Sequence, residues 1–222
     1  MSEREKITIV IISELLKELK PILERRYCSS VGHGIKHVTD VMYRALRYNE
    51  ILKLNLDKKE IILASLLHDM YSGSSRKTHH ILGHDYVMYS LHEVFDGIDK
   101  ERVAKAILEH RASYTGEYSS LLSELISSAD RGEPNLNDIV NRCYISTKEF
   151  HPEYNVDEIN NAVKKHIGEK FTRNGYAKYP DIYIKINKKK LDVFHDEVDE
   201  FLNGERLVII EDNGTIISLG SL

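Results

Sequence analysis

The stretch Ile61-Ile62-Leu63-Ala64-Ser65-Leu66-Leu67-His68-Asp69-Met70 decides how this chain is read. Asp57, with Glu60 three residues on, is a capping-box pattern that starts a helix just ahead of the apolar run. The helix carries Ile61, Ala64, Ser65 and His68, and a loop opens at Tyr71-Ser72-Gly73. A histidine and an aspartate at the end of so apolar a helix must find partners, because leaving such groups unsatisfied costs about 1–3 kcal/mol each.

The same helical period extends in both directions, and it predicts helices from the N-terminus to about residue 131. Residues 5–25 place Ile7, Ile11, Leu15 and Leu19 on one face, with Pro21 expected to kink or end the helix. A helix over 34–49 aligns His37, Val41, Ala45 and Tyr48. One over 80–96 aligns His84, Val87, Met88, Leu91 and Phe95 and stops at Gly97. Asp99 caps the next, in which Val103, Ala106, Ile107 and His110 share a face, and a helix over 118–131 aligns Leu122, Ile126 and Asp130. His37, His68, His84, His110 and Asp130 therefore fall on inward stripes. Neutral imidazole and carboxylate together suit a shared divalent transition metal such as Mn, Fe, Co, Ni or Zn.

Composition narrows the field. The chain has 222 residues and a net charge of −4, with 41% hydrophobic and 30% charged residues, which excludes a disordered chain and a general polyanion binder. Cys28 and Cys143 form no metal-finger spacing, so a zinc ribbon and a secreted disulfide framework are disfavoured and a reducing cytoplasm is expected. The first 20 residues interrupt their apolar run with charge too soon for a membrane span. Histidine is the unusual residue: of 11, eight (His33, His37, His68, His79, His80, His84, His92, His110) lie between 33 and 110.

Taken in order, His37 in GHGIKHVTDV, His68-Asp69 in ILASLLHDM and Asp130 in LISSADRGEP resemble the HD-domain superfamily of metal-dependent phosphohydrolases over about residues 30–131. The resemblance implies His37, His68, Asp69 and Asp130 as metal ligands. Members with two metals add two histidines in between; His84 and His110 stand in those places, with His80 a competing choice for the first. The implied fold is a mainly α HD-domain helical bundle, and the implied reaction is hydrolysis of a nucleotide phosphate ester or anhydride. One or two divalent ions would lower the pKa of a water to make the nucleophile. Adjacent His68 and Asp69 project about 100° apart, so the carboxylate can reach toward a second ion, and Asp69 and His110 are counted as catalytic. His33 and His79 are candidates for the general acid. Arg76, Lys77, His80, Arg111 and Arg131 lie beside the ligands in sequence and are candidates for binding phosphate. No Gly-Tyr-Pro tripeptide occurs and His110 is followed by Arg111, so the branch that cleaves cyclic di-GMP is not expected.

Past residue 131 the character changes. Glu133-Pro134-Asn135 reads as a turn, 157–171 as an amphipathic helix, and 191–202 as a further short helix. Leu207–Ile210 and Thr215–Leu219 read as a β-hairpin with an Asn213-Gly214 turn. The division expected is a metal-binding domain over 1–131 and a small α+β appendage over 132–222. Two other functions share the pattern: a di-iron oxygenase on the HD scaffold, and a nucleic-acid-binding module. The second would use residues 173–190, where six cations face Asp181 and are interleaved with Tyr176, Tyr179 and Tyr183.

Overall fold

The computed structural model describes residues 3–27, 34–90, 92–205, 208–210 and 216–218. The described residues are mainly helical. The helices are α1 (Glu3–Tyr27), α2 (Ile35–Ile51), α3 (Lys58–Leu67), α4 (His79–Tyr89), α5 (Lys100–Glu109), α6 (Leu121–Asp130), α7 (Leu136–Phe150), α8 (Val156–Phe171) and α9 (Asp181–Asn203). A 3₁₀ turn, Glu93–Phe95, lies between α4 and α5. None of these helices is long and apolar enough to cross a membrane.

Two compact units divide the chain. The first comprises Met1–Gly132 with Tyr179–Ile186, and the second comprises Glu133–Lys178 with Asn187–Leu222, so α9 begins in one and continues in the other. In the first unit α3 is buried on every side from Glu60 to Leu67, as expected of a helix that is apolar all round. Asp57 caps it by accepting from the Glu60 N–H at 3.0 Å. α1, α2, α5 and α6 pack around α3. Glu60 is satisfied in this interior by a two-pronged pairing with Arg102 (2.6 and 2.7 Å) and by the Asp99 N–H at 3.1 Å.

Two helix boundaries in the first unit differ from the sequence expectation. Pro21 lies inside α1 without ending it. Leu15, Leu19, Leu23 and Tyr27 are all buried at four-residue steps, and the Tyr27 hydroxyl donates to the Leu66 carbonyl at 2.9 Å, so packing on both sides of the proline outweighs its missing N–H. α4 stops at Tyr89, where Ser90 turns extended, and does not reach residue 96. α4 also lies so close to α5 that a Cβ on Gly83 would fall 2.8 Å from Ile107 Cγ2.

In the second unit, α7 is a helix where only a turn was expected. Pro134 and Asn135 do precede it, but Asn135 then caps it by accepting from the Asp138 N–H, and Leu136, Ile139, Val140 and Tyr144 are its buried stripe. α9 likewise starts at Asp181, ten residues ahead of the helix expected at 191. α8 is closed by a full capping box between Asn155 and Glu158. β1 (Val208–Ile210) and β2 (Ile216–Ser218) pair antiparallel, with Ile209 opposite Ile217. The expected Asn213-Gly214 turn lies outside the described residues.

Of the lysine- and tyrosine-rich segment 173–190, residues 181–190 lie in α9 and the rest connect α8 to it. Tyr183 is buried and stacks against Tyr179 at 5.1 Å, Arg173 pairs with Asp196 at 2.6 Å, and Lys190 pairs with Glu133. Of the three tyrosines expected to stack bases, Tyr176 is the exposed one.

Candidate metal centre

Five helix ends of the first unit supply the histidines and aspartates. His68 follows the last residue of α3, His110 follows that of α5, and Asp130 closes α6. His37 sits in the first turn of α2, and His79 begins α4. Three of these ends are carboxyl ends, where the unsatisfied carbonyls carry partial negative charge and favour a cation.

Those carbonyls also orient the rings. His68 Nδ1 donates to the Ser65 carbonyl at 2.7 Å, His110 Nδ1 to Ile107 at 2.6 Å, and His79 Nδ1 to Arg76 at 2.9 Å. Committing Nδ1–H to a carbonyl leaves Nε2 as the ring's metal-binding lone pair, which is how metal-ligating histidines are usually held.

Asp69 stands between two groups of these Nε2 atoms. Its Oδ2 lies 3.6 Å from His37 Nε2 and 3.6 Å from His68 Nε2, and Asp130 Oδ1 faces the same pair at 3.0 and 3.4 Å. Its Oδ1 lies 3.1 Å from His79 Nε2 and 3.5 Å from His110 Nε2. Donor atoms around one ion with bonds of about 2.1 Å stand about 3.0–3.4 Å apart, so these separations suit the edges of a coordination shell. Two overlapping groups, His37 with His68 and Asp130, and His68 with Asp69 and His110, bring their donor atoms close enough to hold a metal ion.

Two details show that the cluster fits a cation. His68 Nε2 is buried with no hydrogen-bond partner. His79 Nε2 and His110 Nε2 lie 3.2 Å apart with both Nδ1 atoms already committed, and two such lone pairs repel unless a proton or a metal lies between them. Burial lowers the pKa of His68, but Asp69 and Asp130, with the Ser65 carbonyl, outweigh it and raise it to about 9. Burial would raise Asp130; the imidazoles of His37 and His68 facing it instead hold it well below the usual carboxylate range. Burial pushes His110 below the usual histidine range.

The structure thus brings together His37, His68, Asp69, His110 and Asp130 from the expected set. His84 does not join them: its ring is partly exposed and its Nδ1 meets Asp85 at 2.9 Å. The imidazole beside His110 belongs to His79, which is buried and was expected only as a general acid. The inward stripe of α4 is His79, Gly83 and Val87. Gly83 contributes no hydrophobic signal to that stripe, which disguised its register; His84 lies one residue, or about 100°, off it.

His80 is half-buried, with its ring 5.5 Å from that of His79. Burial, followed by the charges of Arg111, His79 and His110, lowers His80 to about 4, so it is neutral and cannot serve as a phosphate-binding cation near pH 7. Arg76 and Lys77 are exposed on the loop before α4, and Arg111 donates to the Lys77 carbonyl at 3.2 Å. Arg131 is directed inward, donating to the carbonyl of Ser127 and to its Oγ. His33 lies outside the described residues. Arg44 went unnoticed in the sequence; its Nε donates to the Ala129 carbonyl at 2.8 Å and secures the end of α6 beside Asp130.

Compared with known proteins, the chain matches no curated protein and no solved structure. It does match one family profile, described as HD domain, over residues 34–135. That span begins just ahead of His37 and ends just past Asp130, so it encloses every residue of the cluster: residues 34–135 of this chain are an HD domain.

Proposed function

We propose that this chain is a metal-dependent phosphohydrolase that cleaves a phosphate ester or anhydride of a nucleotide. The observation that carries the reading is Asp69, whose two carboxylate oxygens face two different imidazole pairs. HD domains are typically metal-dependent phosphohydrolases, which supports the same class.

In this reading His37, His68, Asp69 and Asp130 would hold one divalent ion, and His79 and His110, with Asp69 standing between the two groups, would hold a second. Bound there, such ions supply an acidified water and a Lewis acid for the phosphoryl oxygens. The residues do the rest. Nδ1 bonds to the backbone keep the rings from turning, and the buried floor formed by His68, Asp69 and His110 keeps bulk water from weakening the charges. Arg76, Lys77 and Arg111 line the sequence next to the second imidazole pair and are the cations proposed to bind the substrate's phosphate. His80, neutral beside them, is proposed as a hydrogen-bonding group toward the substrate.

Elemental analysis of the purified protein, paired with phosphate release from a nucleotide panel supplemented with Mn, Fe, Co, Ni or Mg, tests this reading. One or two ions per chain with release from particular nucleotides is expected. Bound ions without release from any nucleotide would overturn the hydrolase reading, and a protein that takes up no ion would overturn the metal centre.

A further inference from the structure

We infer that Ser127 is a positioning residue that sets the spacing between the two halves of the metal centre, an inference that rests on the two-ion reading above. Ser127 lies on α6, fully buried, one turn before Asp130 and Arg131. Its hydroxyl has one proton to donate and two lone pairs, and all are used. Ser127 Oγ donates across to α5, to the carbonyl of His110 at 2.9 Å. It accepts from Arg131 at 2.6 Å, and with its own proton committed it also accepts from the Tyr118 hydroxyl at 3.0 Å.

The two ends of this bridge are different ligands' surroundings. His110 belongs to the pair facing Asp69 Oδ1, whereas Arg131 directly follows Asp130, which faces His37 and His68. The His110 carbonyl is one of the last four of α5, which lack partners within the helix. Ser127 satisfies it with a group rooted in the helix that carries Asp130. With Nδ1 held by Ile107 and the carbonyl held by Ser127, His110 is restrained at both ring and backbone, and its Nε2 is confined to one position relative to Asp69. Functional constellations tolerate only about 0.5 Å of misplacement, so a bond that joins the two ligand-bearing helices at this point governs whether both ions fit at once. Neighbouring Ser128, equally buried, donates instead to the Glu124 carbonyl of its own helix at 2.7 Å and has no such reach.

The test is a cobalt(II) titration of the ion-free full chain, followed by calorimetry and visible absorption, with melting temperature measured in parallel. Wild type is expected to take two ions. Ser127→Ala is expected to keep its first-ion affinity and weaken the second about 10–100-fold, the usual cost of losing a partner that orients a metal ligand. Ser127→Thr, which retains the hydroxyl, should recover the second ion, and Ser128→Ala should bind both as wild type does. Equal loss of both affinities in step with melting temperature, or wild-type binding by Ser127→Ala, overturns the inference. If Ser127→Ala yields no folded protein, Ser127→Cys replaces the hydroxyl donor to the His110 carbonyl with the weaker donor of a thiol, and an unchanged second-ion affinity there also overturns it. A wild-type chain that takes no second ion defeats the two-ion reading itself, and this inference with it.

Discussion

Metal binding to this centre should be strongly coupled to pH, and the size of the coupling follows from His68. In the ion-free protein its pKa is about 9, set by Asp69 and Asp130 against the opposing effect of burial. Nδ1 is committed to the Ser65 carbonyl, so the proton that must leave to expose a lone pair is the one on Nε2. At pH 7 that proton is bound almost all of the time, and removing it costs on the order of 3 kcal/mol. Apparent affinity for the first ion should therefore rise about tenfold per pH unit from pH 7, gain about 100-fold by pH 9, and level off above it. Asp130, held well below the usual carboxylate range, remains ionised throughout and adds no slope. The sign for the ion-free fold is opposite. A raised histidine pKa stabilises the folded state fully below about 6.5, and that contribution is lost as pH rises through about 9. Calorimetric titration with manganese(II) from pH 6.5 to 9.5, in two buffers of different ionisation enthalpy, measures both affinity and proton release. An affinity flat between pH 7 and 9, with the same heat in both buffers, would refute the reasoning.

Three further expectations concern particular residues. His79→Ala should lose the second ion, while His84→Ala should retain the full metal content by elemental analysis; the reverse result would return His84 to the ligand set. Gly83→Ala places a Cβ 2.8 Å from Ile107 Cγ2, so α4 must shift by about half an ångström and carry His79 with it. The gain of about 1 kcal/mol in helix propensity is set against about 1–3 kcal/mol of overpacking, so melting should fall by no more than about 8 °C while second-ion affinity drops; unchanged affinity would count against the close α4–α5 contact. Arg102→Ala leaves the buried Glu60 carboxylate with the Asp99 N–H as its remaining partner, and denaturant unfolding should show a loss of about 1–3 kcal/mol, with a loss below about 0.5 kcal/mol refuting the pairing's role.

Several features of the site were legible because the signal was local. Asp57, Glu60 and an uninterrupted apolar run dictate α3, and the apolar stripes of α2, α5 and α6 carry His37, His110 and Asp130 inward with them. α7 was legible too, in the Asn135 cap and the stripe of Leu136, Ile139, Val140 and Tyr144, but the turn signal of Pro134 masked it. The front of α9 was obscured differently: Lys185 and Lys188–190 read as a solvated connection, although Ile182, Tyr183 and Asn187 are the buried side of a helix.

What the sequence by itself determined is the run of helices up to residue 131, the inward placement of an adjacent His68-Asp69 pair, and a chemistry of imidazole and carboxylate suited to a divalent ion. Helical periodicity encodes those, because each residue's direction depends only on its neighbours a turn away. Only the tertiary structure decided which histidine of the run from 79 to 84 faces the site, that Asp69 stands between two imidazole pairs, and that Ser127 ties their helices together. The choice of His79 over His84 depends on how closely α4 approaches α5 at Gly83, and a residue without a side chain leaves no trace of that approach in a hydrophobic pattern. Distances between groups on separate helices are set by packing, which no single helix's period contains.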